Sequence, residues 1–147
     1  MSYILVVDDE KDIRDLISQI LFDEGHLVKL AHNSSSAMQY INTEVPDLIV
    51  LDIWLKDSEM DGIEILKSVK SNNPLCPVVI ISGHGNIEIA VAAVKQGAYD
   101  FLEKPFNIDQ LVLVINRALE ASRLRKEVFS LKNRESQEIK MIGDTTA

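Results

Sequence analysis

Residues 3–10 read Tyr3-Ile4-Leu5-Val6-Val7-Asp8-Asp9-Glu10, five mostly apolar side chains followed by three acids. A run this short, rich in β-branched residues and closed by charge, predicts a strand buried on both faces, as inside parallel sheets. Three more stretches share the design: Leu48–Leu51 before Asp52, Val78–Ile81 before Ser82, and Tyr99–Leu102 just ahead of Lys104. All strands of a parallel sheet end on the same edge, and that edge is where ligands bind in open α/β folds. The spacing therefore gathers Asp8, Asp9, Asp52, Ser82 and Lys104 at one rim. Carboxylates, a hydroxyl and an ammonium in one place suit phosphoryl chemistry.

Helix-period segments alternate with these runs. From Glu10 to Asp23, Ile13, Leu16, Ile17, Ile20 and Leu21 fall three and four apart, and Gly25 stands where a C-terminal cap belongs. Leu27–Ala31 reads as a further strand. Asn33 caps a helix carrying Ala37, Met38 and Ile41, which Pro46 brings to an end. Helices over Gly62–Val69, over Asn86–Gln96 with Gly97 beyond, and from Ile108 onward complete five β-α units. Right-handed crossovers then place helices on both faces of a doubly wound parallel sheet, an α/β fold.

Composition agrees with this architecture. The 147 residues suffice for one domain of about 120 residues plus a tail, with 46% hydrophobic and 26% charged side chains, ordinary for a soluble globular chain. No apolar run approaches the roughly 18 residues of a membrane span. The amino terminus enters a strand at once, with no cationic and apolar leader, so a cytoplasmic location is expected. Cys76, the only cysteine, lies between Leu75 and Pro77 and reads as structural. Residues 1–110 hold 8 basic and 18 acidic side chains, a net of −10, whereas residues 111–147 carry +2. The globular part thus repels nucleic-acid phosphates, and any DNA binding must come from elsewhere.

Five motifs in order, Val6-Val7-Asp8-Asp9-Glu10, Leu51-Asp52, Ile81-Ser82-Gly83, Gly97-Ala98 and Lys104-Pro105-Phe106, resemble those of a two-component response regulator receiver domain over roughly residues 3 to 120. The resemblance implies a flavodoxin-like (βα)5 fold with strand order 2-1-3-4-5. It implies Asp52 as phosphoacceptor, Mg2+ (with Mn2+ as a substitute) held by Asp8, Asp9, Asp52 and the Trp54 carbonyl, and Ser82 and Lys104 on the phosphoryl group, Lys104 preceding a cis bond to Pro105. It further implies a switch pair, Ser82 and Phe101, and rim residues Trp54 and His84 that govern access of water. A sensor histidine kinase would be the donor. The domain would promote its own phosphorylation and slow dephosphorylation, without acting as an enzyme on other substrates.

Taken singly, each residue has a plainer reading. Asp8 and Asp9 suit the start of a helix, where negative charge meets the dipole. Asp52, Ser82 and Lys104 fit loops and surface, Phe101 a packing role, and His26 and His32 the surface. A flavodoxin-type carrier would need an amide-lined phosphate loop where Asp8 and Asp9 stand. A haloacid-dehalogenase-like phosphatase would place a second aspartate two residues past the nucleophile, where this chain has Trp54. A stand-alone receiver acting through protein contacts is the nearest alternative.

The acceptor loop departs from the family pattern. Ile53-Trp54-Leu55-Lys56-Asp57-Ser58-Glu59-Met60 precedes Asp61-Gly62 with no proline, about two residues longer than usual. This length and Ser82-Gly83-His84-Gly85-Asn86 are similar to the NtrX branch of NtrC-type nitrogen-regulation regulators. Ala121, Leu124, Val128 and Leu131 continue an apolar spacing along an extended C-terminal helix, expected to link (121–140) and to pair in a homodimer. Met141–Ala147 resembles the opening of an AAA+ ATPase domain of sigma-54-dependent activators, which implies transcription-regulating output domains beyond this chain.

Overall fold

The computed structural model describes residues 2–55, 60–83 and 87–146, without the side chains of residues 129 and 132–146. Its elements alternate: β1 (Tyr3–Val7), α1 (Lys11–Asp23), β2 (Leu27–Ala31), α2 (Ser34–Thr43), β3 (Leu48–Asp52), α3 (Gly62–Asn72), β4 (Val78–Ser82), α4 (Ile87–Lys95), β5 (Asp100–Glu103) and α5 (Ile108–Thr146). All pairings are parallel, and the strand order is β2-β1-β3-β4-β5.

Strand alternation splits the core in two. Leu5, Val7, Ile49, Leu51, Val78 and Ile80 face α2, α3 and α4, against Ala37, Ile41, Ile65, Leu66, Val69, Ala90 and Ala93. Ile4, Val6, Leu48, Val50, Val79, Ile81 and Leu102 face α1 and α5, against Ile17, Leu21, Leu111, Ile115 and Ala118. Residues of β1, β3 and β4 are wholly buried, which explains why these strands carry unbroken apolar runs instead of alternating ones. Each such aliphatic side chain contributes about 1.5–3 kcal/mol by leaving water.

Local chemistry sets the helix ends. The Asn33 side chain accepts from Ser36 N–H (2.9 Å) and Asp61 from Glu64 N–H (2.9 Å), capping α2 and α3. Gly25 and Gly97 follow α1 and α4 with φ of +88° and +116°, the left-handed turn that glycine takes without strain. Some details differ from the sequence reading. Leu16 lies on the flank of the α1 stripe and is exposed. Helix α3 runs on to Asn72. The last strand starts one residue late, because Tyr99 already donates to Val78 O (2.8 Å) while its ring stays outside the core.

The sheet's opposite edge is tied by polar contacts. Cys76 is buried, its thiol 3.4 Å from Pro46 O, and burial pushes that thiol up to about 11, so its structural role holds. Lys70 donates to Cys76 O (2.8 Å), and the Ser122 hydroxyl to Leu75 O (3.2 Å), fastening α5 to the same loop. Helix α5 continues unbroken through the 121–140 span, and Leu124, Val128 and Leu131 on it are about half exposed. Among the described residues no helix is long and apolar enough to cross a membrane.

Candidate phosphoacceptor and metal site

Register carries the site residues to one edge. Val7 pairs with Leu51, Asp52 with Ile81, and Ser82 with Glu103, so Asp8, Asp52, Ser82 and Lys104 leave neighbouring strands at the same height. Lys104 N–H donates to Ser82 O (2.8 Å), extending the ladder one step beyond β5. The Lys104–Pro105 peptide is cis.

Asp8 is fully buried and held from several sides. Its N–H donates to Ala31 O (3.1 Å), its Oδ1 accepts from Glu10 N–H (2.8 Å), and its carbonyl accepts from the Arg14 guanidinium (2.7 Å). The helix-entry reading of Asp8 is thus partly true: one carboxylate oxygen serves the chain entering α1 while the other faces the site. Asp52 is 4% exposed and accepts the Trp54 N–H on Oδ1 (3.3 Å). Lys104 Nζ stands 3.1 Å from Asp8 Oδ2 and 3.6 Å from both Asp52 Oδ2 and Glu10 Oε1. Asp8 Oδ2 thus faces the site in a buried ion pair with the Lys104 ammonium. Among the described residues the Ser82 hydroxyl is buried without a hydrogen-bond partner. A polar atom left so costs about 1–3 kcal/mol, a cost an added ligand would remove.

Burial pushes the Asp52 carboxyl up to about 7, reinforced by the Asp8 charge and opposed by Lys104 and the Trp54 amide. Asp8 is raised as well, first by burial. Burial works against the Lys104 charge, yet Asp52 and Asp8 outweigh it and hold the ammonium above its ordinary value. One cation therefore faces more negative charge than it neutralises.

Carboxylate oxygens of Asp8, Asp9 and Asp52 all lie within 4.8 Å of one another. Oxygens around Mg2+ sit at about 2.1 Å, hence at most about 4.2 Å apart, so the cluster needs only a slight contraction to hold such an ion. The buried Asp8 Oδ2, an acceptor that faces the site beside Lys104, fits the same group. These residues can hold a hard divalent cation.

The rest of the assigned set divides. Phe101 is half-buried, paired with Ile80 and packed on the α2–α4 side of the core. Trp54 is 52% exposed beside Asp52. His84 lies outside the described residues, as does the loop segment 56–59. His32 is exposed, but His26 is half-buried, its Nδ1 enclosed and without a partner among the described residues, and burial lowers its proton affinity, a correction to its reading as a surface residue. Sequence reasoning missed Glu10 beside Lys104 and Arg14 on the Asp8 carbonyl. The available signal was their place at the entry to α1, Glu10 as its N-cap residue and Arg14 in its first turn, directly after Asp8-Asp9.

Residues 4–116 match the response regulator receiver domain family. The chain belongs to that family. It is 56% identical over 129 residues to the nitrogen assimilation regulatory protein NtrX of Azorhizobium caulinodans, covering 88% of this chain and 28% of that protein. It is 35% identical over 142 residues to the DNA-binding transcriptional regulator NtrC of Proteus hauseri, covering 97% and 30%. The crystal structure of the receiver domain of NtrX from Brucella abortus superposes with a TM-score of 0.78 at 57% identity, covering 80% of this chain and 98% of that one. The fold is thus that of receiver domains, and the chain spans about 30% of the length of the curated relatives it matches.

Proposed function

We propose that this domain receives a phosphoryl group on Asp52 from a sensor histidine kinase and passes the signal to transcription-activating output domains beyond this chain. The observation that carries the reading is the buried rim where Asp52 meets two further carboxylates, Lys104 and the unpartnered Ser82 hydroxyl. The Asp52 carboxylate attacks phosphorus, an oxygen–phosphorus bond forms, and the donor's bond to phosphorus breaks, leaving an acyl phosphate. Phosphoryl transfer asks mainly for positioning and charge stabilisation. Lys104 holds a fixed positive charge beside the new phosphoryl oxygens, and Ser82 donates its hydroxyl proton to one of them. Asp8, Asp9, Asp52 and the Trp54 carbonyl would hold Mg2+, or Mn2+ in its place. The bound cation would neutralise charge between the carboxylate and the incoming oxygens.

Once Ser82 turns toward the phosphoryl group, Phe101 follows into the space it leaves, and the surface of α4, β5 and α5 shifts. The half-exposed Leu124, Val128 and Leu131 offer the apolar stripe along which two copies pair in a homodimer. Residues 121–140 link to an AAA+ ATPase domain that begins at 141–147. The domain works in the cytoplasm. A stand-alone receiver would share all of this chemistry, and extending the reading frame past Ala147 separates the two.

The test is incubation with Mg2+ and acetyl phosphate, read by intact mass. One added phosphoryl group located on Asp52, and none when EDTA is present, is the expected result; modification at another residue would sink the assignment. In the same samples the half-exposed indole of Trp54 shields the acyl phosphate from water. Trp54→Asn should shorten its lifetime by about ten-fold, the size of a 1.4 kcal/mol change in barrier. An unchanged lifetime would remove the shielding role.

A further inference from the structure

We infer that Glu10 is a positioning residue that holds the Lys104 ammonium back from the phosphoryl group and so tempers anion uptake at the rim; the inference rests on the phosphoacceptor and metal reading of that rim. The ammonium has three hydrogens to give. Around it stand Asp8 Oδ2 at 3.1 Å, Asp52 Oδ2 at 3.6 Å and Glu10 Oε1 at 3.6 Å. Asp8 and Asp52 are buried members of the clustered carboxylates that can hold a cation, and a cation drawn in beside them loosens their grip on the lysine. Glu10 is not one of that cluster, and its side chain is 60% exposed. It is therefore the carboxylate that still competes with phosphoryl oxygens for the ammonium.

Local structure fixes Glu10 for this part. Its N–H donates to Asp8 Oδ1 (2.8 Å), which ties its backbone to the same carboxylate that meets the ammonium. Glu10 is also the N-cap residue of α1, with extended backbone (φ −90°, ψ 117°), yet its side chain makes no capping hydrogen bond. The preferred capping side chains, those of Ser, Thr, Asp and Asn, are shorter. The longer glutamate reaches Lys104 instead, so one ion pair spans the rim from the end of β1 to the end of β5, across β3 and β4. Removing this carboxylate frees the ammonium for phosphoryl oxygens and leaves less negative charge to draw a cation. A carboxylate at the start of α1 also suits the helix dipole. That role predicts a change in stability alone.

Glu10→Gln is the decisive variant, since it removes the charge at nearly constant shape. Two equilibria are measured against the native chain: Mg2+ binding to the metal-free protein by calorimetry, and binding of beryllofluoride, an anionic phosphoryl mimic, to the Mg2+-saturated protein by the fluorescence of Trp54, the chain's single tryptophan. Glu10→Gln should bind Mg2+ about five-fold more weakly and beryllofluoride about five-fold more tightly, opposite shifts of the size one half-exposed charge carries. Glu10→Asp, which keeps a charge at the helix start but stops short of Lys104, should still bind beryllofluoride more tightly than the native chain. In a Lys104→Met background the gain from Glu10→Gln should shrink to less than about two-fold, because the partner it acts through is gone. A gain undiminished in that background, a Glu10→Asp protein with native beryllofluoride affinity, or Mg2+ and beryllofluoride affinities that fall together or stay fixed in Glu10→Gln would each overturn the inference. Native protein that gains its phosphoryl group at another residue while these shifts persist would count against Asp52 as acceptor and leave the role of Glu10 standing.

Discussion

Asp52→Asn, stripped of divalent metal at about pH 8, is expected to melt roughly 10 °C above the native sequence, a gain of about 2–4 kcal/mol. The Asp52 carboxyl has its proton affinity raised in the fold from 3.8 to about 7 by burial and by Asp8. The sign follows directly. An acid whose folded value lies above its unfolded one favours the native state fully while protonated, below about pH 4, and that contribution is lost as pH rises through about 7. Asparagine stays neutral throughout. The gap between variant and native protein should therefore open from about pH 4 and reach its plateau above about pH 7, reduced from the full linkage because Lys104 stays paired with Asp8 and Glu10. Saturating Mg2+ should stabilise the native chain more than the variant. Melting temperatures that coincide at every pH would show that Asp52 carries no electrostatic burden.

Gly62→Ala should be the most damaging single substitution near the rim. A Cβ at Gly62 would press on the carbonyl oxygen of Asp52 itself, and would come within 2.6 Å of the Ile53 Cα and 2.8 Å of the Ile53 oxygen. All three obstacles are backbone, so no rotamer change relieves them, and Ile53 is anchored on Ile81. The close approach, and not a left-handed torsion, is what demands glycine here. A loss of about 3 kcal/mol or more is expected in chemical denaturation, the upper range of overpacking, together with a loss of the Trp54 response to Mg2+. A variant of native stability and native Mg2+ affinity would mean that α3 can swing clear of the acceptor strand without consequence.

Much of this was legible in the chain, and the reason is the buried parallel sheet. A strand covered on both faces must be apolar at every position, so β1, β3 and β4 stand out as unbroken runs, and the first polar residue marks the rim. Asp8, Asp52 and Ser82 are found that way, and Lys104 by extension. The helix cap at Asn33 is equally local, a side chain bonding three residues ahead. What stayed hidden was tertiary. The reach of Ser34 to Met60, of Ser122 to Leu75 and of the Lys104 ammonium to Glu10 depends on how distant segments stack, and no periodicity encodes it. Tyr99 shows the limit at edges: it has the composition of a strand residue, but β5 lies at the sheet's margin, where hydrogen bonding begins before the core does.

The thiol of Cys76, enclosed beneath the loop that grips α5 and held protonated up to about 11, has a practical consequence. Thiol-directed probes react through the thiolate, so this sole native cysteine stays silent at neutral pH. A cysteine introduced on the outer face of α5 can then carry a spin label or dye by itself. Distances between labelled copies would follow the helix before and after phosphorylation, in a chain otherwise left in its native sequence.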